Sequence, residues 1–464
     1  MNPDTVLLEL DGQPWTVHDS LEGTHIFGSN GSGKSKGSGR AIAEAFLRAG
    51  YGGLVLTVKA DEADAWQRYM EDAGRTDDLI RVRPEFGHRF NFLDHEATRS
   101  TRGGGLTQNI TSLFLGALDD PAVRTADPYW QDNMRMLLGH ATDVCRLAGG
   151  VTLQNLVRVI VSAPTSRRAD VTDSFCARLL KHALARHSSL NANDRYDLDR
   201  AIEYFGKEFA DLNEKTRSII VSCFTSKADG LLRAPHRAIF AEPGEPTFTP
   251  ELSHRGKVIV LDLPVHQFWE AGRFAQCLYK SAWQRAANQR GKSDGNLPLF
   301  LWCDEAHHFL SDTDATFQST CRDYRVATVC LAQNLPNYFN LFGARNPEQG
   351  VMGFLGCLRT KIFHQNVDDT TNRWAEELFA SEEAPRQSTN IGDAPRVPGL
   401  KSLFDAGGGA LGRSTTYSFE QRPRVAREDF VKLRTPQKPD LVTNAIVYYR
   451  NGQVLRHSFP IRTE

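Results

Sequence analysis

The chain has 464 residues, of which 40% are hydrophobic and 24% charged, with a formal net charge of -1 and a mean hydropathy of -0.41. That is the make-up of a water-soluble globular protein with core enough for two or three domains. It excludes a membrane-spanning bundle, since no segment approaches an apolar run of roughly 18 residues, and it provides no global positive field to steer the protein toward nucleic acid. The start, Met1 to Glu9, has neither the basic region nor the apolar core of a signal peptide. The eight cysteines are scattered, without a C-x-x-C pair, and read as small buried apolar residues in a reducing cytosol.

In chain order, Val6–Leu10 and Thr24–Phe27 read as short strands, the second leading directly into Gly28-Ser-Asn-Gly-Ser-Gly-Lys-Ser35. This is a phosphate-binding loop. Gly28, Gly31 and Gly33 let the backbone curl so that successive N–H groups point inward at phosphate oxygens. The amphipathic helix predicted over Arg40–Leu47 adds its positive N-terminal end. The expected cradle is Gly28, Ser29, Asn30, Gly31, Ser32, Gly33, Lys34, Ser35 and Lys36. Within it Lys34 bridges the terminal phosphates of ATP and the Ser35 hydroxyl holds Mg²⁺. Gly53–Val58 is a near-continuous apolar run, the mark of a parallel strand covered on both faces.

From about residue 100 to about 250 the pattern changes. Apolar residues recur at helical spacing over Met134–Leu147, Leu153–Val161, Phe175–Leu184 and Ile202–Phe209, and strand-like runs are few. The α/β pattern resumes at Lys257–Asp262, followed by a helix over Ala271–Ala287 and strands over Leu299–Cys303 and Val326–Leu331. Glu382–Gly412, rich in Pro, Gly, Ala and Ser, reads as loop. Ala445–Tyr449 and Val454–Phe459 around Arg450-Asn-Gly-Gln453 read as a hairpin. The expected organisation is therefore α/β: a RecA-like P-loop core with a mostly parallel sheet and an inserted all-α domain. Residues 1–99 carry the first part of the nucleotide-binding domain, 100–250 the insertion, and 251–464 the second part with the hairpin.

A P-loop needs an acidic strand end to complete its metal site. Leu299-Phe-Leu-Trp-Cys-Asp304-Glu305 supplies one, with Asp304 in the Mg²⁺ shell and Glu305 placed to polarise the attacking water. The following strand ends in Leu331-Ala-Gln333, and in an open parallel sheet such an end faces the ligand. Gln333 is thereby a candidate γ-phosphate sensor. The spacing and the lack of a second-domain arginine pair argue against a DEAH helicase, so His307 and His308 read as helix-start residues. Arg322, at the end of the helix joining these two strands, lies on the far side from its own nucleotide. It suits a neighbouring subunit's site instead.

Taken in order, these pieces resemble the conjugative type IV secretion coupling proteins (TraD/TraG-like) of the FtsK/HerA-like motor superfamily. Leu54-Val-Leu-Thr-Val-Lys59, Tyr129-Trp130-Gln131, Arg255–Pro264, Cys321-Arg322-Asp-Tyr-Arg-Val and Cys357–Phe363 extend the match over about residues 24–379. The resemblance implies an ATP-hydrolysing DNA translocase working as a homo-hexamer with Mg²⁺. It implies Arg322 as a trans-acting arginine, Gln333 as sensor, and a relaxase or relaxosome and type IV secretion channel proteins as partners. The chain departs from the family in having Thr57 before the matched Lys59, no strongly basic tail and no integral membrane segment. The expected location is therefore cytoplasmic, with recruitment to the inner membrane by a partner. Arg359, Lys361, Arg386 and Arg396 are candidate pore contacts. A related motor with a protein substrate or a defence or DNA-processing role stays open beside this reading, as does a non-hydrolysing scaffold, against which Glu305 stands.

Overall fold

The computed structural model describes the chain except residues 100–104, 118–127, 167–172, 243, 294, 340–346, 394–410, 451 and 463–464. Its strands are β1 (Val6–Leu10), β2 (Gln13–Thr16), β3 (Thr24–Phe27), β4 (Gly52–Leu56), β5 (Leu79–Val82), β6 (Val258–Leu261), β7 (Leu299–Cys303), β8 (Val326–Ala332), β9 (Thr360–Phe363), β10 (Ser381–Asp393), β11 (Leu411–Pro423), β12 (Val442–Tyr449) and β13 (Gln453–Pro460). Nine of them form one sheet in the order β13-β12-β9-β3-β8-β7-β4-β6-β5. Every pairing from β9 across to β5 is parallel. The hairpin β12–β13 closes the other edge antiparallel to β9. Among the described residues β1 and β2 pair only with each other.

The central strands are buried on both faces because their apolar residues alternate between two cores. Leu54, Leu56, Ile259, Leu261, Leu299 and Leu301 enter one. Val55, Val258, Val260, Phe300, Trp302 and Leu331 enter the other, where the helices Arg40–Arg48 and Glu62–Asp72 cover the sheet through Phe46 and Trp66. At about 1.5–3 kcal/mol for each large side chain withdrawn from water, these layers dominate the stability.

Between β5 and β6 all regular structure among the described residues is helical, including Thr107–Ala117, Pro128–Ala148, Leu153–Val161, Phe175–Ala185, Ala192–Glu203 and Glu214–Leu232. The apolar faces of these helices join the first core without a break, by way of the 25-residue helix Val265–Gln289. Trp269, at φ 49°, breaks the helical path inside this span, so that the predicted helix over Ala271–Ala287 lies after the kink and a short helical segment precedes it. No single helix among the described residues is long and apolar enough to cross a membrane.

Two expectations change. The predicted loop over Glu382–Gly412 contains strand: β10 and β11 pair antiparallel from Ser381↔Pro423 to Asp393↔Leu411, as a ribbon outside the main sheet, while 394–410 lie outside the described residues. A ribbon held by cross-strand backbone bonds needs no apolar face, so its Pro- and Gly-containing sequence carries no strand signal. Lys361 is no pore contact. It is buried on β9, with Nζ donating to the Leu358 carbonyl at 2.5 Å and standing 5.6 Å from the Tyr448 ring. Burial, assisted by nearby Arg359, pushes its ammonium down to about 8. Arg359 is surface-exposed beside Glu22; Arg396 and the side chain of Arg386 lie outside the described residues.

Candidate functional site: three adjacent strand ends

The topology places β8 between β3 and β7, and all three run in the same direction. Their carboxyl ends therefore bring Gly28–Ser35, Gln333 and Asp304–Glu305 to one rim, where ligands of open α/β sheets bind.

The loop leaving β3 is anchored at its start, where the Gly28 and Ser29 N–H groups donate to the carbonyls of Ala332 and Gln365 at 3.3 and 2.9 Å. Gly28 has no room for a side chain: a Cβ there would lie 2.4 Å from Ser32 Oγ and 2.9 Å from His364 Cβ. Gly33 is bound twice over, with φ +89° and a Cβ position 2.8 Å from Thr443. Thr443, at the start of β12, supports the loop from behind. Its Oγ1 donates to the Ser32 carbonyl at 2.6 Å and accepts from His364 Nδ1 at 3.2 Å. His364 in turn accepts from Ser38 Oγ at 2.7 Å. Burial, followed by the nearby Lys34 charge, pushes the His364 imidazole down to about 3, so it is neutral across the physiological range. After the loop the chain makes one π-helical turn, Ser35–Gly39, before the helix Arg40–Arg48. Such turns recur at functional sites.

At the end of β7, Asp304 Oδ2 accepts from Ser35 Oγ at 2.7 Å and Oδ1 accepts from the Glu305 N–H at 2.9 Å. Glu305 is buried in the left-handed region, at φ 47°, a strained position of the kind that clusters at active sites. Its Oε1 lies 3.3 Å from Lys34 Nζ and 4.0 Å from Lys59 Nζ, and accepts from Gln333 Nε2 at 3.2 Å. Burial works to raise the Glu305 carboxyl, but the charge of Lys34, the Gln333 hydrogen bond and then Lys59 together hold it below the usual value, so it stays ionised. The ammonium of Lys59 is shifted upward: burial opposes its charge, and Asp304, Glu62 and Glu305 outweigh it.

The structure thus brings Lys34, Ser35, Asp304, Glu305 and Gln333 together, with Asn30, Gly31 and Lys36 exposed along the outer side of the loop. Arg322 is at the other end of the sheet. It is exposed, with Nη1 3.4 Å from Glu22 Oε1, and Glu22 lies two residues before the start of β3. Within one chain it cannot reach Lys34. His307 and His308 form a short 3₁₀ turn, and His307 Nδ1 is 3.7 Å from Glu305 Oε2. Sequence reasoning missed Thr443, His364 and Glu62. The first two were signalled only as polar residues at the start of one apolar strand, β12, and just past the end of another, β9.

The donor set fits Mg²⁺, which favours hard oxygen ligands and few protein groups. Ser35 and Asp304 offer a hydroxyl and a carboxylate already in contact. Among the described residues no cluster of three or more His, Cys, Asp or Glu could hold a metal by itself. An ion at this rim would therefore rely on Ser35, Asp304 and the phosphates of a nucleotide.

Fold and site geometry define a RecA-like α/β P-loop core. Among solved structures the chain is similar to the bacterial conjugative coupling protein TrwBdeltaN70 in its unbound form, with TM-score 0.62 and 14% identity over 100% of this chain and 89% of that one. It is similar to TrwB in complex with ADP and Mg²⁺, with TM-score 0.58 and 12% identity over 100% and 90%. VirB4 of Thermoanaerobacter pseudethanolicus also aligns, with TM-score 0.51 and 11% identity over 100% and 97%. No family model and no curated protein sequence matches the chain. The chain has the fold of these conjugative coupling proteins and of VirB4.

Proposed function

We propose that the protein is an ATP-hydrolysing ring motor that translocates DNA, feeding relaxase-bound or other DNA to a type IV secretion channel. The observation that carries the reading is the meeting of Lys34, Ser35, Asp304, Glu305 and Gln333 at the ends of β3, β7 and β8, within a fold shared with TrwB. In this reading the N–H groups from Gly28 to Lys36 cradle the phosphates and Lys34 leaves Glu305 to pair with the terminal ones. Ser35 and Asp304 hold Mg²⁺, which when bound neutralises the phosphate charge that builds up during transfer. Glu305, ionised and released from Lys34, orients the attacking water and accepts its proton. Gln333, hydrogen-bonded to Glu305, senses whether the terminal phosphate is present. Arg322, on the opposite side of the sheet, reaches a neighbouring subunit's site in a hexamer and supplies positive charge there. The helices of residues 100–250 form a domain inserted into this motor, and a membrane-bound partner recruits it from the cytoplasm.

The test is steady-state ATP turnover with and without single- and double-stranded DNA, with mass measured in each state. The reading predicts turnover that rises with DNA and falls steeply with salt, in step with assembly into rings. The near-zero net charge favours one second reading, a related motor with a protein substrate, whose turnover would be indifferent to DNA and raised by a protein partner.

A further inference from the structure

Beside Ser35 and Asp304 lies a small cavity of ≈ 60 Å³, lined by these two residues together with Glu62, Leu56, Ala65, Trp66, Tyr69 and Trp302. Glu62 opens the helix Glu62–Asp72. One of its oxygens is engaged locally, since Oε2 accepts from the Val58 N–H at 2.7 Å and fixes the turn after β4. The other is not. Oε1 is closed off from solvent and accepts no hydrogen bond among the described residues. The walls are stiff, with Trp66 stacked on Phe300 at 5.4 Å and edge-on to Trp302 at 5.3 Å. Two carboxylates thus share an aromatic-walled cavity in which one oxygen lacks any donor. That arrangement is costly unless a cation or its water fills the gap.

We infer that Glu62 is the third protein group of the divalent-cation site, holding the ion together with Ser35 and Asp304 through ion-bound water. Mg²⁺ gives up its waters reluctantly and is commonly held by one or two protein groups with water completing the shell. The cavity has room for water, and the free Oε1 supplies the acceptor such a water needs. A carboxylate in this outer position orients the ligands that touch the ion. The inference rests on the proposed nucleotide site and adds a residue to it.

The experiment titrates the full chain with ADP, in Mg²⁺ and in EDTA, by calorimetry, using wild type, Glu62→Gln and Asp304→Asn. Glutamine keeps the Val58 bond through its oxygen and offers Asp304 an N–H, so a purely structural Glu62 predicts an unaltered Mg²⁺ response. The inference predicts that Glu62→Gln binds ADP in EDTA as wild type does, but loses roughly tenfold or more of the Mg²⁺-dependent gain, in the direction of Asp304→Asn. A wild-type Mg²⁺ response in Glu62→Gln, with Asp304→Asn impaired, overturns the inference and leaves the nucleotide site standing. Failure of the wild-type chain to bind ADP at all removes both. If Glu62→Gln melts early, Glu62→Asp decides, because it keeps the charge and withdraws it by one methylene. Retention of the Mg²⁺ response in Glu62→Asp assigns the effect to charge. Loss of the Mg²⁺ response in a folded Glu62→Asp, which keeps the charge, assigns the effect to the turn after β4 and overturns the inference.

Discussion

Replacing Thr443 by valine tests whether the far end of the chain shapes the phosphate loop. The substitution keeps volume and β-branching but deletes the hydroxyl that donates to the Ser32 carbonyl at 2.6 Å and accepts from His364 Nδ1 at 3.2 Å. Both partners are buried, and a buried polar group left without its bond costs about 1–3 kcal/mol. Two such groups give roughly 2–6 kcal/mol, falling mainly on Ser32 and its neighbours because His364 keeps its Ser38 bond. If about 2 kcal/mol of this must be restored whenever nucleotide orders the loop, affinity falls about 30-fold. The assay is titration of a fluorescent ADP analogue, with circular dichroism to show that the fold persists, and Thr443→Ser as a control that retains the hydroxyl. A dissociation constant within about threefold of wild type in a folded Thr443→Val would refute the reasoning.

Glu305→Gln is expected to abolish turnover while leaving ATP binding intact, which single-turnover and binding measurements separate; undiminished turnover would remove Glu305 as the base. Arg322→Ala is expected to be inactive alone but rescued in mixed rings by subunits carrying a Lys34→Ala change, read as recovered turnover on mixing. No recovery at any ratio rejects the cross-subunit role. Stability should fall on acidification. His364 titrates near 3 when folded against an ordinary 6.5, so its contribution is fully present above pH 6.5 and is lost as pH falls through that value toward 3. Linkage puts the loss at about 2 kcal/mol by pH 5. Denaturant melts at pH 7 and pH 5 should therefore show a drop smaller by about that amount in His364→Asn than in wild type, and equal drops would contradict it.

Much of the fold was legible because the central strands are continuous apolar runs and the phosphate loop stands between a strand and a helix. Glycines at 28, 31 and 33, and paired acids at 304 and 305, are signals that a few residues carry by themselves. Strand order is another matter. That β8 lies between β3 and β7 follows from how helices pack on both faces, which no local window contains. The support beneath the loop was hidden for the same reason, since Thr443 lies 411 residues from Ser32. Glu62 was hidden by ordinariness: an acid in the first turn of a helix normally just favours the helix dipole. Lys361 misled in the opposite sense, because a lysine in sequence gives no sign that its ammonium will be enclosed and held by a carbonyl.

The antiparallel hairpin at the sheet edge has a consequence for synthesis. The glycine-rich loop leaves the ribosome well before the threonine that supports it, which follows Ser32 by 411 residues. A nascent chain stopped anywhere before residue 443 carries the loop without the hydroxyl beneath it, and nothing holds the Ser32 carbonyl in its final orientation. On the proposed function, competence to grip a triphosphate is thereby deferred until β12 has been made.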